Sequence, residues 1–447
     1  MPQPTGVAPT VTSSGVTRDT RVQVLRQANR AAVLRHIVMA GETSRARVGQ
    51  ECQLSVGSVT NVVSGLLIEG LVEESGSVPS AGGRPTSLLR PRPQGAYFIG
   101  ADVGEEGVAV ELFDLALTRV DREFARAVGG AGDVEGISGA LRQAVGRIWE
   151  RHPDKRSTIA GIGLGLPGIV ETEPSGQQTL HAQSLGWPGI TVRDLLDLPA
   201  VAGLPLYAEN GAKTLAAGEN AFGAARGATQ AVVALLGRGV GLGVLVGGHI
   251  LRGRVSSAAE WGHTKISLGG RMCTCGGRGC LQAYIGADAI LARWHEAGGE
   301  PLGHGWTALS ALVSGADDGD PVARRVVDET VEILGLGLGN LVNLYNPERV
   351  VIGGWVGLKL MEGHAAAVEQ ASRIASLTRP GSQYTVHPCT FGGDSVALGA
   401  ALLPLERLID PPAVLPVSTP LAVGARHLAD VDGFVQHPVS PPSKEMS

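Results

Sequence analysis

Cysteine and aromatic residues are scarce in this sequence, and no long apolar run is free of glycine or charge. Five cysteines among 447 residues are too few for a disulfide scaffold, and without a signal peptide they fit a reducing cytoplasm. Residues 231–250 are mostly apolar, but they contain six glycines and Arg238, which excludes a membrane-spanning helix. Aromatic residues make up only 4% of the chain, although a hydrophobic content of 43% suffices for large cores.

The charge of the chain is unevenly distributed. The formal net charge is −5, whereas residues 18–92 contain ten Arg against six Asp or Glu, so that this segment carries +4. A basic N-terminal module on an acidic body is typical of a DNA-binding head. The length of the chain suits two or three domains.

Three of the five cysteines lie close together, at Cys273, Cys275 and Cys280, and His263 precedes them. Thiolate sulfur and neutral imidazole nitrogen are the donors that tetrahedral zinc takes, and clustered Cys and His in a Cys-poor chain indicate a metal before a disulfide. Four protein ligands leave no open position, so we expect one structural Zn²⁺ per chain. The alternative is three incidental thiols beside a core histidine.

The N-terminal segment has the spacing of a helix-turn-helix. Residues 21–41, 44–52 and 55–67 each show a helical apolar pattern, and Ser44 and Ser55 are suitable N-caps for the second and third helices. In this motif the later helix enters the major groove of DNA. An unrelated three-helix bundle is the alternative. The small polar residues expected to contact DNA are Ser55, Ser58, Thr60, Asn61 and Ser64.

A wing follows the third helix. Residues 71–74 and 87–90 are predicted strands, and Gly-Gly-Arg-Pro at 82–85 lies in the loop between them. An extended segment of this kind is slim enough for a narrow minor groove, where the negative potential would attract Arg84. The alternative is an ordinary surface turn. Residues 91–93, Pro-Arg-Pro, are the predicted linker to the rest of the chain.

After this head, which we place at 18–93, strands and helices alternate in two halves, each of which begins with a β-hairpin. This order predicts an α/β protein with two actin/hexokinase-like lobes and a ligand cleft between them. Residues 94–211 are expected to form the small lobe, and residues 212–408 the large lobe with the zinc site. Residues 1–17 and the Pro-rich 409–447 lack periodicity, and we expect both to be disordered tails.

Two motifs resemble the signature of a known family. Glu-x-Gly-His at 260–263 and Cys-x-Cys-Gly-x-x-Gly-Cys-Leu at 273–281 are similar to the signature of the ROK family, which groups bacterial sugar kinases with sugar-responsive transcription factors. The glycine spacing at 237–243 belongs to the same pattern, and a looser similarity covers about 97–403. Residues 44–85 resemble the winged head of the family's regulators, which its sugar kinases lack.

The resemblance implies that Asn210, Glu260, His263 and Gln282 bind a sugar. His263 would contact the sugar with one ring nitrogen and zinc with the other. In the kinases of the family an Asp after the Asn takes the proton of the sugar hydroxyl, whereas Gly211 stands there in this chain. The family usually has Glu where this chain has Gln282, which can still bond a hydroxyl but without charge. The alternative is that the four are ordinary polar residues.

The residues at the positions of the nucleotide site differ more strongly from those of the ROK sugar kinases that the sequence resembles. Their first phosphate turn is Asp-x-Gly-Gly-Thr, but residues 102–106 are Asp-Val-Gly-Glu-Glu, so Glu105 and Glu106 would stand where polyphosphate binds. Arg238 replaces the usual Thr of the second phosphate turn. We therefore expect that the protein is not an enzyme.

Together these features favour a sugar-responsive transcriptional repressor with a catalytically inactive, kinase-like sensor. The expected partners are a double-stranded DNA operator, a sugar or sugar derivative, and further copies of the chain in a homodimer or homotetramer; no membrane is expected. One alternative is a ROK sugar kinase with an added DNA-binding head, which Gly211 and residues 105–106 disfavour. The other is a DNA-binding regulator whose cleft binds no ligand, which the intact Asn210, Glu260 and His263 disfavour.

Overall fold

The fold is given by a computed structural model, which describes residues 18–79, 85–104, 107–129, 132–300 and 303–411. The predicted tail at 1–17 and the part of the other tail beyond 411 lie outside these residues. The last helix continues to Ile409, so it includes the first residue of the predicted C-terminal tail. Among the described helices, none is both long and apolar enough to cross a membrane.

The head is a winged helix-turn-helix, as predicted. Ser44 Oγ accepts a hydrogen bond from Arg47 N at 3.3 Å and Ser55 Oγ accepts one from Ser58 N at 3.2 Å, so both predicted N-caps form. Gly41 ends the first helix with a φ of 73°, which is the left-handed conformation of a helix C-terminus. The elements of the head are α1 (Arg18–Ala40), β1 (Thr43–Ser44), α2 (Arg45–Glu51), α3 (Val56–Ile68), β2 (Val72–Val78) and β3 (Thr86–Pro91).

Two halves with the same strand order make up the body. In each half a meander of three antiparallel strands continues into two parallel strands, giving the orders β6-β5-β4-β7-β11 and β14-β13-β12-β15-β16. The strands of the first half are β4 (Tyr97–Val103), β5 (Gly107–Asp114), β6 (Arg119–Arg126), β7 (Ile159–Leu166) and β11 (Leu206–Asn210). Those of the second half are β12 (Gln230–Leu236), β13 (Val240–Val246), β14 (His249–Ile250), β15 (Arg349–Gly353) and β16 (Thr385–Pro388). The predicted two-lobed architecture is confirmed.

Helices cover these sheets, and a small sheet of β8 (Ile169–Thr172), β9 (Gln178–His181) and β10 (Ile190–Thr191) is inserted between β7 and β11. The helices of the first half are α4 (Val134–Arg151), α5 (Val192–Leu195) and α6 (Gly211–Phe222). Those of the second half are α7 (Gln282–Ile285), α8 (Ala287–Glu296), α9 (Gly305–Asp317), α10 (Pro321–Tyr345), α11 (Gly354–Ile374), α12 (Thr378–Gly381) and α13 (Ser395–Ile409).

The last helix of each half packs against the sheet of the other half. Helix α6 follows the first sheet but lies against β12 and β13, whereas α13 follows the second sheet but lies against β4 and β7. The two helices also contact each other along their lengths. The boundary predicted at 211/212 falls in the first turn of α6, and α6 and α13 tie the two halves together in space.

Glycines allow α13 to approach its neighbours at backbone distance. A Cβ at Gly163 would lie 1.9 Å from the carbonyl oxygen of Ala400, and one at Gly399 would lie 1.7 Å from that of Thr214. Both distances are far below any van der Waals contact, so only glycine fits at these positions. The spacing between α13, α6 and the first sheet is accordingly fixed by backbone atoms.

The head and the body share one hydrophobic core. Leu34 and Ile37 of α1 belong to the same buried cluster as Phe98 of β4 and Leu398 and Leu405 of α13. Ion pairs and carbonyl contacts surround this core: Arg35 pairs with Glu406, and Arg30 donates to the carbonyl oxygens of Leu408 and Ile409.

The predicted linker at 91–93 is tightly held. Pro91 belongs to β3, the backbone N–H of Arg92 donates to Leu71 O at 3.0 Å, and a Cβ at Gly95 would lie 2.5 Å from Gly70 O. The head is thus docked on α13 and β4 rather than tethered loosely.

We expect Gly399→Ala to destabilise the protein by about 1–3 kcal/mol, because the added methyl group collides with a backbone carbonyl that cannot rotate away. The measurement is the melting temperature by calorimetry or circular dichroism. Gly65→Ala is the matched control, since a Cβ there meets nothing within 4 Å in the interior of α3, and it should leave the melting temperature unchanged or higher. Equal melting temperatures for both variants would contradict the close contact between α6 and α13.

Candidate functional site

The outer face of α3 presents the polar residues predicted to contact DNA. Ser55, Thr60, Asn61 and Ser64 are exposed and Ser58 is half-buried, while the opposite face buries Val59, Val63 and Leu66.

Three hydroxyls on this face are already engaged locally: Thr60 Oγ1 donates to Val56 O at 2.8 Å, and the hydroxyls of Ser55 and Ser58 lie 2.9 Å apart. Asn61 and Ser64 make no side-chain hydrogen bond within the described part of the chain, so both are available to an external partner. Arg84 lies outside the described residues.

The predicted metal ligands come together. The ligand atoms of His263, Cys273, Cys275 and Cys280 all lie within 4.8 Å of one another. Two of the edges, His263 Nδ1 to Cys273 Sγ and Cys275 Sγ to Cys280 Sγ, both measure 3.7 Å. Zinc–sulfur bonds of about 2.3 Å in a tetrahedron imply edges of roughly 3.7 Å, so the cluster has the size and the donor set for such an ion.

The loop around the cluster is shaped by hydrogen bonds and glycines. Cys273 N donates to Gly277 O at 2.8 Å, and a Cβ at Gly279, where φ is 73°, would lie 1.7 Å from Ser267 O. Burial raises the pKa of the Cys273 thiol to about 11, so without a cation this thiol keeps its proton near neutral pH. A metal ion that binds here must displace that proton, which is the usual coupling between metal binding and thiol ionisation.

His263 connects the cluster to the other lobe. Its Nδ1 faces Cys273, and its Nε2 lies 3.2 Å from the hydroxyl of Ser184. In the same short segment of the first lobe, Gln183 donates to the carbonyl oxygen of Cys275 at 2.9 Å. Burial lowers the pKa of His263, which favours the neutral imidazole that a metal ligand requires. Sequence reasoning missed Ser184, because no pattern in the serine's own segment marks it as a cleft residue.

Asn210, the first predicted sugar residue, is the N-cap of α6. Its Oδ1 accepts hydrogen bonds from Ala212 N at 2.9 Å and Lys213 N at 3.3 Å, and its Nδ2 donates to Gly168 O at 2.8 Å. The side chain is thus fixed at the carboxyl end of β11, where the lobes meet. Its structural role does not require a ligand.

Glu260 and Gln282 differ in the number of hydrogen bonds that their side chains already make within the protein. Gln282 Oε1 accepts from Val240 N at 3.1 Å and its Nε2 lies 3.2 Å from Thr274 Oγ1, so the amide joins the turn before β13 to the cysteine loop. The carboxylate of Glu260 has no hydrogen bond or ion pair within the described residues. Desolvation raises the pKa of Glu260, and the nearby Lys213 opposes that rise. A solvent-accessible carboxylate in such surroundings is suited to bind a ligand hydroxyl.

The position of the missing base has room for a side chain. A Cβ at Gly211 would make only ordinary contacts, the nearest at 3.7 Å to Leu166 O, so the fold does not require glycine there. On the nucleotide side, Arg238 Nε pairs with Asp288 at 3.2 Å. Glu105 and Glu106 lie outside the described residues.

Comparison with known proteins agrees with this geometry. Residues 98–407 match the model of the ROK family. The chain is 30% identical over 363 residues to the xylose repressor of Caldicellulosiruptor bescii, which covers 79% of this chain and 90% of that protein. It is 31% identical over 320 residues to the glucokinase of Halalkalibacterium halodurans, which covers 69% of this chain and 94% of the glucokinase.

Among solved structures, a ROK family transcriptional regulator that is a homologue of Escherichia coli Mlc superposes with a TM-score of 0.70 at 24% identity, covering 86% of this chain and 97% of that one. At this identity the likeness shows that the fold is shared.

We expect Asn210→Ala to lower the free energy of unfolding by about 1 kcal/mol, since α6 loses its N-cap. Asn210→Asp retains an acceptor and places a negative charge at the positive end of the helix, so its loss should be smaller. Urea denaturation of both variants and of the unmodified protein measures the difference. Equal losses of stability in the two variants would instead indicate that the lost hydrogen bond from Asn210 Nδ2 to Gly168 O causes the effect.

Proposed function

This chain belongs to the ROK family, and we propose that it is a DNA-binding transcriptional repressor whose cleft senses a sugar. The observation that carries the proposal is the winged helix-turn-helix with an exposed polar face on α3, joined through a shared core to a kinase-like body. Relatives named xylose repressor support the assignment, because they match most of this chain rather than the body alone.

The DNA ligand would be a (pseudo)palindromic operator bound by a homodimer or homotetramer. A recognition helix contacts about half of a palindromic operator, and a two-fold symmetric protein presents two recognition helices. Asn61 suits an adenine edge in the major groove, and the hydroxyls of Ser55, Ser58, Thr60 and Ser64 suit phosphates or base edges. Arg84 in the wing would enter a flanking minor groove.

The effector would be a monosaccharide or a derivative of one, bound between the lobes. The resemblance assigns Asn210, Glu260, His263 and Gln282 to the sugar. Two observations support this: the exposed carboxylate of Glu260 has no partner among the described residues, and His263 Nε2 lies beside Ser184 of the other lobe. The carboxylate of Glu260 is thus free to accept a hydrogen bond from a ligand hydroxyl, which supports a cleft that still binds a ligand.

The sensor would have no kinase activity. Phosphoryl transfer to a hydroxyl needs a group that accepts its proton, and Gly211 supplies none where the resemblance places the catalytic Asp. Because the chain is similar to a glucokinase, a sugar kinase with an added DNA-binding head is the alternative function. The kinase alternative is disfavoured because Gly211 has no side chain that could accept the proton of a sugar hydroxyl.

Selection of bound sequences from random DNA, followed by titration with neutral sugars, tests the proposal. We expect a palindromic site and a sugar that lowers the affinity for it. Asn61→Ala should weaken operator binding by about tenfold or more, as expected for one lost base contact of about 1–3 kcal/mol. Asn340→Ala, on an exposed position of α10, is the matched control and should bind as the unmodified protein does. Absence of sequence-selective binding, or ATP turnover with the sugar that binds, would contradict the proposal.

We also propose that the cluster holds one structural Zn²⁺ per chain, with His263, Cys273, Cys275 and Cys280 as ligands. Elemental analysis of protein purified without chelator should give about one zinc per chain. Cys275→Ser should lose the metal and lower the melting temperature, because a structural zinc site contributes directly to folding. Cys52→Ser is the control, since Cys52 ends α2 in the head, far from the cluster in sequence and outside its set of ligands. Full metal content in Cys275→Ser would remove this thiol from the site.

A further inference from the structure

An exposed apolar side chain lies at the N-terminus of α3. Val56 is the first residue of this helix and is 85% exposed, whereas the other exposed side chains on the outer face are polar. Valine has a lower helix propensity than alanine, and at this position it buries nothing, so the stability of the helix does not account for it. In a helix-turn-helix the N-terminal residues of the recognition helix contact base edges, and Val56 occupies such a position.

The hydroxyl groups next to Val56 are bonded within the helix. Ser55 Oγ accepts a hydrogen bond from Ser58 N at 3.2 Å, and the hydroxyls of the two serines lie 2.9 Å apart. Thr60 Oγ1 donates to Val56 O at 2.8 Å, one turn back along the helix. The hydroxyl protons of Thr60 and of one serine are therefore already used, so this end of α3 offers a base few hydrogen-bond donors.

Gly57 leaves the surface beside Val56 open. A Cβ at Gly57 would meet nothing within 4 Å, so packing does not require glycine there. A glycine on an exposed surface allows a ligand to approach the backbone closely. The Cα–Cβ bonds of a helix tilt toward its N-terminus, so the isopropyl group of Val56 extends beyond the first turn of α3. A base edge that approaches this end of the helix therefore meets an apolar group.

We propose that Val56 is a specificity-determining residue that contacts the 5-methyl group of one thymine in each half of the operator. This inference rests on the proposed DNA-binding function. Thymine is the base that presents a methyl group in the major groove, and an apolar side chain recognises it by contact. A cytosine at the same position would place its amino donor against the isopropyl group, where no acceptor replaces the lost water. Val56 therefore selects thymine over cytosine at one position, in addition to the contact proposed for Asn61.

Replacement of thymine by deoxyuridine tests the inference, because it removes the 5-methyl group and keeps every hydrogen-bonding group of the base pair. Each thymine of the selected operator is replaced in turn, at both symmetric positions, and the affinity of the full-length protein is measured by fluorescence anisotropy. We expect one position at which the replacement weakens binding by about tenfold or more. Each buried methyl group contributes roughly fourfold in affinity, and the operator has two half-sites.

The variant Val56→Ala assigns the methyl contact to this side chain. It should bind the thymine operator more weakly, and the difference between thymine and deoxyuridine at that position should fall below about threefold. Alanine has the higher helix propensity, so weaker binding cannot come from a less stable α3. The matched control is Ile68→Ala, because Ile68 is 87% exposed at the last position of the same helix. It lies roughly 18 Å from Val56 at 1.5 Å per residue, and its variant should keep the full difference.

The outcomes separate this inference from the function on which it rests. Sequence-selective binding that no deoxyuridine weakens overturns the role of Val56 and leaves a DNA-binding repressor intact. The same holds if Val56→Ala keeps the full difference, or if Ile68→Ala loses it as well. Absence of sequence-selective binding overturns both the proposed function and the role of Val56.

Discussion

The backbone contact between α6 and α13 is the constraint on which the rest of the molecule depends. Because Gly399 brings α13 onto the carbonyl of Thr214, the two helices cannot slide apart or change spacing without losing that contact. Asn210 caps the start of α6 at the junction of the lobes, and the apolar face of α13 belongs to the same core as α1 of the head. A change at the cleft and a change at the DNA-binding face are thus linked by two helices that each pack against the opposite lobe.

The presence of Asn210 is not by itself evidence for a ligand site. Asn210 caps α6 and bonds Gly168 whether or not a sugar is present, so stability alone is a sufficient reason for an asparagine there. Gln282 likewise bonds Val240 and the cysteine loop. Glu260 is different, because nothing in the described residues uses its carboxylate. The evidence for a working sensor therefore rests on Glu260 and its neighbours more than on the motif as a whole.

Features set by local sequence were predictable, and features set by distant packing were not. The caps Ser44 and Ser55 and the Cys/His cluster follow from residue types at short spacing, and the repeated hairpin order gave the two lobes. Nothing local indicates that α6 and α13 exchange sheets, or that Lys213 is buried in a helix start otherwise made of small residues. Helix α11 begins at Gly354, in a glycine pair at the end of β15 that gives no local signal of a helix start.

The contact between the lobes at Ser184 suggests how ligand binding in the cleft affects the DNA-binding head. The Nε2 atom of His263 that a sugar would use already lies beside the Ser184 hydroxyl, and Gln183 holds the cysteine loop from the same segment. A sugar that bonds Nε2 must displace or share this hydroxyl, so it would bind unequally to an arrangement of the lobes with this contact and to one without it. Differential affinity of this kind is what shifts a conformational equilibrium, and a ligand without it shifts nothing. The Cys/His loop holds His263 on one side of the contact. On the other side, the sheet of the first lobe packs against α13, which shares a core with the head.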